Sequence, residues 1–145
     1  MLKPASAPVR PLYFQNSSGR VWEEPAGYLR LEYLPGTRTA DQFRALLTHT
    51  AQALVRRHWS KILVDQRQMT PYSPVEQEWM TSQWLPRAVN EYGYRHGAVL
   101  VAHDVFARLA MTQLMMASWG LPHVYRTFEA EQEAVAWLKS MGSEG

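Results

Sequence analysis

The sequence predicts an α/β domain with a mixed sheet of about six strands, flanked by about four helices. From about residue 39 onward, short apolar runs alternate with longer segments of helical periodicity, as expected for parallel strands joined by helices. Three β-prone runs come first, which predicts an antiparallel hairpin or meander beside the parallel block. The chain has 145 residues, of which 46% are hydrophobic, enough to fill one sizeable core.

The N-terminal part of the chain predicts a tail followed by three strands. Residues 1–11 hold three prolines and no periodicity, so we expect a flexible tail there. Residues 12–15 and 20–23 are β-prone runs around residues 16–19, an Asn-Ser-Ser-Gly sequence that suits a tight turn. In residues 27–33 apolar and polar side chains alternate, which predicts a strand with one buried face.

The first helix and the central strand follow. Thr39 and Gln42 have the spacing of a capping box, and apolar residues then recur every three or four positions from Phe43 to Val55. This pattern predicts a helix that covers one face of the sheet. Residues 61–65 are apolar in their middle and end in a charged residue, as expected for a central strand covered on both faces.

The start of the second helix carries three independent signals. Ser73 is suited to the N-cap, Pro74 to the first helical position and Glu76 to the third. We expect this helix to run through Trp84 and to kink at Pro86, since proline lacks the N–H that an α-helix needs.

The last third of the chain predicts two further strand and helix units. The predicted elements are a strand over residues 98–102, a helix over residues 105–119 capped by Asp104, a strand over residues 123–128 and a final helix ending near Met141. The predicted domain therefore spans residues 12–141, followed by a short C-terminal tail, residues 142–145.

Composition narrows the function classes. Fifteen basic and 13 acidic residues give a net charge of only +2, which does not indicate nucleic-acid binding. No apolar run approaches the roughly 18 residues of a membrane span, so we expect no membrane span and a cytoplasmic protein. The chain has no cysteine, which excludes thiolate catalysis. We find no phosphate loop, nucleophile elbow or metal-ligand spacing, and expect no enzyme, cofactor or metal.

The loop after the central strand is the first candidate site, because partners and ligands dock at the carboxyl ends of strands in open α/β sheets. The alternative is a loop stiffened by its prolines, in which an Asp-Arg pair ties the chain down and the serine is only an N-cap. The candidate binding residues are Asp65, Arg67, Thr70, Tyr72, Ser73 and Glu76.

A second candidate site is an adaptable apolar pocket, because thioethers and indoles fit varied shapes. The near-helical spacing of the same residues also fits an ordinary core. The candidate pocket residues are Trp79, Trp84, Met111, Met115 and Trp119.

Aromatic residues also mark the N-terminal hairpin. Tyr13, Trp22 and Tyr28 lie on strands that a small sheet can leave at its exposed edge, and such edges invite pairing with a second copy. We therefore predict a homodimer.

The series of elements resembles the SpoIIAA-like branch of the STAS domain family, over roughly residues 12–140. The resemblance rests on the strand ending in Asp65, the Ser73-Pro-x-Glu helix start, the strand and turn over residues 98–104, and the closing Phe128-Glu-x-Glu-x-Glu-Ala-x-Ala-Trp-Leu138. It implies a STAS-like mixed sheet flanked by helices.

The resemblance also implies a function. It implies a non-enzymatic regulatory or protein-interaction module that binds another protein through the loop and helix start after the central strand. Ser73 is similar in place to the phosphorylatable serine of anti-sigma-factor antagonists, although the surrounding Thr-Pro-Tyr-Ser-Pro differs from their Asp-Ser-Ser/Thr-Gly-like sequence. The related CRAL-TRIO lipid-transfer fold implies the alternative, a carrier or sensor of a small apolar, lipid-like ligand.

Overall fold

The structure, a computed structural model, describes residues 10–142 and is built around one six-stranded sheet. Strands β1 to β3 pair antiparallel, whereas β3 to β6 pair parallel, in the same order as in the sequence. The predicted mixed sheet is therefore confirmed. The strands are β1 (Leu12–Gln15), β2 (Gly19–Glu24), β3 (Tyr28–Tyr33), β4 (Lys61–Asp65), β5 (His96–Leu100) and β6 (Val124–Phe128).

Four helical segments flank the sheet, as predicted. They are α1 (Ala40–Arg57), a composite segment made of α2 (Pro74–Trp79), a π-helical turn (Met80–Trp84) and α3 (Leu85–Asn90), then α4 (Val105–Ala117) and α5 (Glu131–Ser140). The first three segments connect successive parallel strands and pack on one face, because right-handed crossovers in one direction place their helices on the same side. Helix α5 packs on the opposite face, where Ala134 and Leu138 contact Leu63 and Leu100.

The composite segment has a π-helical turn just before Pro86, where the sequence predicts a kink. The chain departs from α-helical geometry in the preceding turn, where the Leu85 N–H donates to the carbonyl of Met80, five residues earlier. Pro86 has no N–H to donate to Ser82, so the regular hydrogen-bond ladder is interrupted at this position. The wider turn keeps the helix continuous across the proline.

Strand β3 also differs from its prediction. Five of its six residues are buried, whereas the prediction had only one face of the strand buried. Arg30, expected to face solvent, is only 6% exposed, since α5 covers that face of the sheet. Tyr28, expected on an exposed edge, is buried beside α5 as well. The edge of the sheet on this side is β1.

Several predicted element ends shift by a few residues. The strand predicted over residues 98–102 is β5, which begins two residues earlier, and the helix predicted over residues 105–119 ends at Ala117. At the start of α1 the Thr39 hydroxyl accepts the N–H of Gln42 at 3.2 Å. The reciprocal half of the capping box is missing, because the Gln42 side-chain oxygen has no partner among the described residues.

The ends of the described chain contact the sheet. The Glu23 N–H donates to the carbonyl of Pro11 at 2.9 Å, and Arg10 forms an ion pair with β2, so these two residues of the expected tail are attached. The remainder of that expected tail, residues 1–9, and residues 143–145 lie outside the described residues.

Candidate functional site

The loop between β4 and α2 leaves the carboxyl end of a central strand, as predicted, with β3 and β5 on either side. Its side chains alternate between the core and the surface. Met69 and Tyr72 are buried in the main core, whereas Gln68, Thr70 and Ser73 are exposed. The loop is therefore held at two apolar points and displays polar groups between them.

The first half of the loop is tied down by a network of four charged residues. Asp65 accepts hydrogen bonds from the Arg67 guanidinium at 3.0 and 2.8 Å and from the Arg67 backbone N–H at 3.1 Å. Arg30 donates to Asp65 at 2.8 Å and reaches Glu131, at the start of α5, at 2.9 and 3.2 Å. Arg67 also contacts Glu131 at 3.2 Å. The network joins β3, β4 and α5 and is neutral overall.

Electrostatics at Asp65 explain why this network favours a structural role. Burial alone raises the pKa of Asp65, but the hydrogen bonds from Arg67 and the charges of Arg67 and Arg30 outweigh it, so the pKa lies below its ordinary value. Asp65 is thus a carboxylate near neutral pH, with both oxygens occupied. A cleft of about 240 Å³ opens beside it, but the arginine that lines this cleft, Arg67, is neutralised by two carboxylates.

The second half of the loop is clamped by Arg38, a residue that the sequence analysis missed. Its side chain is 3% exposed and forms a bidentate pair with Glu76 at 2.9 and 2.7 Å. It also donates to the carbonyls of Thr70 at 2.8 Å and Pro71 at 2.9 Å. One guanidinium therefore fixes both the end of the loop and the start of α2.

Aromatic rings surround the same guanidinium. The guanidinium carbon of Arg38, Cζ, lies 5.8 to 6.0 Å from the ring centroids of Tyr33, Phe43 and Tyr72, within the range of cation–π attraction. The Tyr72 hydroxyl donates to the Tyr33 hydroxyl at 3.0 Å and accepts from Gln66 at 3.1 Å. Tyr72, a predicted binding residue, is consequently a buried anchor of the loop.

The start of α2 has the predicted capping box in full. The Ser73 hydroxyl accepts the Glu76 N–H at 3.1 Å, and the Ser73 N–H donates to the Glu76 carboxylate at 2.8 Å. Thr70 is also engaged, since its hydroxyl accepts the N–H of Gly36 at 3.1 Å. All six predicted binding residues thus lie in one stretch, and each forms hydrogen bonds within the chain. The result is a rigid loop and a rigid helix start.

An open groove of about 620 Å³ adjoins this helix start. Val75 is 65% exposed at one side of it, and the indole ring of Trp79 lies against the Arg44 guanidinium, 5.4 Å from the ring centroid. Trp79 also packs edge to face on Phe43 at 5.9 Å, which fixes its orientation. The lining residues are Arg44, Pro74, Val75, Glu78, Trp79, Ser82 and Gln83.

The five predicted pocket residues do not line one shared space. Trp84 is buried and donates its indole N–H to a backbone carbonyl of α1 at 2.7 Å, and Met111 is buried in the same core. Met115 is half-buried, while Trp119 is 90% exposed at the end of α4. Only Trp79 of the five contributes to the groove beside α2.

Two histidines have unusual surroundings. His96 and His123 each have a buried ring nitrogen that lacks a hydrogen-bond partner within residues 10–142, and in His123 both nitrogens are in this state. Burial, assisted by the charge of Arg95, lowers the pKa of His123 to about 4. Within the described range, no three histidine, aspartate or glutamate side chains are grouped closely enough to hold a metal ion.

The comparisons with known proteins give one result. The model of the SpoIIAA-like family matches residues 33–139, from the end of β3 to the last turn of α5. The matched range contains the loop, the Arg38 clamp and the groove.

No curated protein and no solved structure matched the chain. No helix in the described part of the chain is long and apolar enough to cross a membrane. Domains of the matched family are generally non-enzymatic modules of regulation and interaction, and because the match covers well over half of its length, the chain belongs to the SpoIIAA-like family.

Proposed function

We propose that this protein is a non-enzymatic regulatory module that binds another protein through the start of α2 and the groove beside it. The observation that supports this best is the exposed Val75 next to Trp79, in an open groove bordered by Arg44 and Glu78. Tryptophan and arginine are the side chains most enriched among the residues that dominate binding energy at protein interfaces. A cytoplasmic location, predicted from the sequence, is part of the proposal.

Rigidity of the site is the second line of support. Arg38 and the capping box hold the loop and the helix start through at least six hydrogen bonds. A surface that is already ordered loses little conformational entropy when a partner docks, so more of the contact energy appears as affinity. In this proposal the loop residues position the binding surface, and the exposed side chain of Val75 and the partly buried ring of Trp79 make the contact.

The charged residues of the loop pair with one another, which argues against a catalytic role for them. Asp65 and Arg67 already satisfy each other, with Arg30 and Glu131 completing the network. A reacting substrate would have to break these pairs before either residue acted as an acid, base or anion ligand. The geometry therefore supports a role for the network in holding the loop.

The groove also supports a protein partner over the alternative of a small apolar ligand. Ligand pockets usually bury 70–90% or more of a small molecule, which needs an enclosed space. The groove beside Trp79 is open and has charged residues, Arg44 and Glu78, at its border. The other tryptophan of this segment, Trp84, is packed in the core.

Site-specific photo-crosslinking in the native host tests the proposal. Val75 is replaced by p-benzoylphenylalanine, and the matched control carries the same replacement at Val55, an exposed valine at the end of α1. We expect a specific protein adduct from Val75 that is absent from Val55. Identical adducts at both positions would contradict the proposal. So would no adduct at either, together with a small molecule retained in native mass spectrometry.

A further inference from the structure

Helix α4 faces the solvent with its larger apolar side chains. Its buried side consists of Ala107, Ala110, Met111 and Leu114, so two of the four core-facing residues are alanines. The opposite side carries, beside the polar residues Arg108, Thr112 and Gln113, larger apolar residues that are between 54% and 90% exposed. They are Val105, Phe106, Leu109, Met116 and, just beyond the helix end, Trp119. An ordinary surface helix has the reverse distribution, with polar residues outward.

The exposed residues form one continuous stripe. Val105, Leu109, Thr112, Met116 and Trp119 are separated by four, three, four and three residues, the spacing that keeps side chains on one face of paired helices. The stripe contains no charged residue. A stripe of this kind is typical of a helix that packs against a second helix.

The absence of charged residues from the stripe indicates which kind of surface packs against it. The charged residue within α4 is Arg108, and its guanidinium donates to the carbonyl of Ala102 in the same chain. The stripe therefore offers no ion pair to a charged partner. Arg108 is also the single basic residue of α4, whereas interfacial helices that bind anionic lipid surfaces carry several lysines and arginines on their polar face. An uncharged apolar stripe of similar length is the matching surface, and α4 of a second copy supplies one.

We infer that two copies of this chain pair through α4, antiparallel about a two-fold axis at Thr112. In this arrangement Val105 of one copy faces Trp119 of the other, Leu109 faces Met116, and Thr112 faces its own equivalent. Val105 and Trp119 lie seven residues on either side of Thr112, and Leu109 and Met116 lie three residues before it and four after it. Apolar side chains therefore face apolar side chains across the axis, as a self-complementary two-fold interface requires.

The available area is sufficient for such a contact. With full areas of roughly 150–250 Å² for the larger side chains, the exposed fractions on α4, Trp119 and Val124 sum to on the order of 700 Å². A standard interface buries about 800 Å² on each partner. A recess of about 320 Å³ beside Trp119, lined by Met115, His123 and Tyr125, offers a space into which Phe106 of the second copy can insert.

This pairing replaces the hairpin contact expected from the sequence. Tyr28 is buried beneath α5 and is not available to a second copy, and Tyr13 lies against Arg56 of α1. The other edge of the sheet is β6, where Val124 is half exposed beside Trp119. The apolar surface is thus continuous from α4 to this edge. The inferred dimer leaves the groove beside α2 outside the contact.

Engineered cysteines test the register, because the natural chain has none. When two helix axes lie about 8–10 Å apart, the Cα atoms of directly facing residues come within the roughly 4–7 Å that a disulfide spans. We expect Thr112→Cys alone to form a reducible dimer on mild oxidation. Met116→Cys alone should not, but a mixture of Leu109→Cys and Met116→Cys chains should. Equal cross-linking by all single variants, or by Ser82→Cys in the other groove, would overturn the inference.

The oligomeric state provides the second measurement. We expect sedimentation of the wild-type chain at high micromolar concentration to give a dimer. Met116→Glu should raise the dissociation constant of this dimer at least tenfold. Met116 is exposed, so the variant should keep its far-ultraviolet circular dichroism spectrum. The control Val75→Glu should remain dimeric. A wild-type monomer, or a dimer that Met116→Glu leaves unchanged in a folded variant, would overturn the inference.

Discussion

Replacement of the buried Arg38 tests the clamp on which the binding surface depends. Arg38→Met keeps most of the side-chain volume but removes the guanidinium, and with it two hydrogen bonds to Glu76 and those to Thr70 and Pro71. The Glu76 carboxylate, 11% exposed, then loses its charge partner. Breaking a buried ion pair from one side costs about 3–5 kcal/mol, so we expect a loss of about 3 kcal/mol in the free energy of unfolding.

Urea denaturation followed by tryptophan fluorescence measures this loss, since the chain has six tryptophans. The matched control is Arg87→Met. Arg87 pairs with Glu91 at 3.6 Å, but both side chains are more than half exposed, and such pairs contribute about 0–1 kcal/mol. We therefore expect the control to change stability by less than about 1 kcal/mol.

A double-mutant cycle separates the pair from its surroundings. Glu76→Gln removes the partner charge, and in the Arg38→Met background it should cost less than in the wild type, with a coupling of about 1–3 kcal/mol. The reasoning is refuted if Arg38→Met destabilises the protein no more than Arg87→Met does. It is also refuted if the two changes at the clamp are simply additive.

Three further predictions concern the surroundings of the site. Ser73→Ala removes the side-chain half of the capping box, and we expect a loss of about 1 kcal/mol by urea denaturation, whereas Ser82→Ala should be close to neutral. The lowered pKa of Asp65 means that the folded state binds a proton less readily than the unfolded state. The stability it contributes is therefore present above about pH 4 and lost as pH falls through the lowered value, so Asp65→Asn should flatten acid unfolding below pH 4. The pKa of His123 is about 4 in the folded protein and about 6.5 when unfolded, so stability should fall as pH drops from about 6.5 to 4. His123→Phe keeps the aromatic packing and should remove that part of the pH dependence in thermal denaturation; an unchanged slope would contradict the assignment.

Local chemistry made much of the fold predictable. The start of α2 was predicted correctly because Ser73, Pro74 and Glu76 act within four residues of one another. The sheet order follows from short strands alternating with amphipathic helices, since consecutive elements usually lie side by side. The π-helical turn was missed because Pro86 identifies an interruption of the ladder without fixing its form.

Contacts between residues that are far apart in the chain could not be predicted from the sequence. Arg38 and Glu76 are 38 positions apart, and Arg30 and Glu131 are 101 apart, so no local spacing connects them. Their pairing depends on which face of the sheet each element covers. The buried side of α4 could not be predicted either, because the sequence of a helix with apolar residues on both sides does not show which side packs against the core.

The affinity of the cross-linked partner for a variant at Val75 tests the proposed function most directly. Val75→Glu adds a carboxylate in the first turn of α2, where the helix dipole tolerates it, so the fold should be retained. The control is Val55→Glu, an exposed valine near the end of α1 that lies outside both the groove and the inferred dimer contact. By calorimetry we expect Val75→Glu to raise the dissociation constant for the partner at least tenfold, about 1.4 kcal/mol, and Val55→Glu to leave it unchanged. Equal affinity of the wild type and both variants would contradict the proposal that the start of α2 and its groove bind the partner.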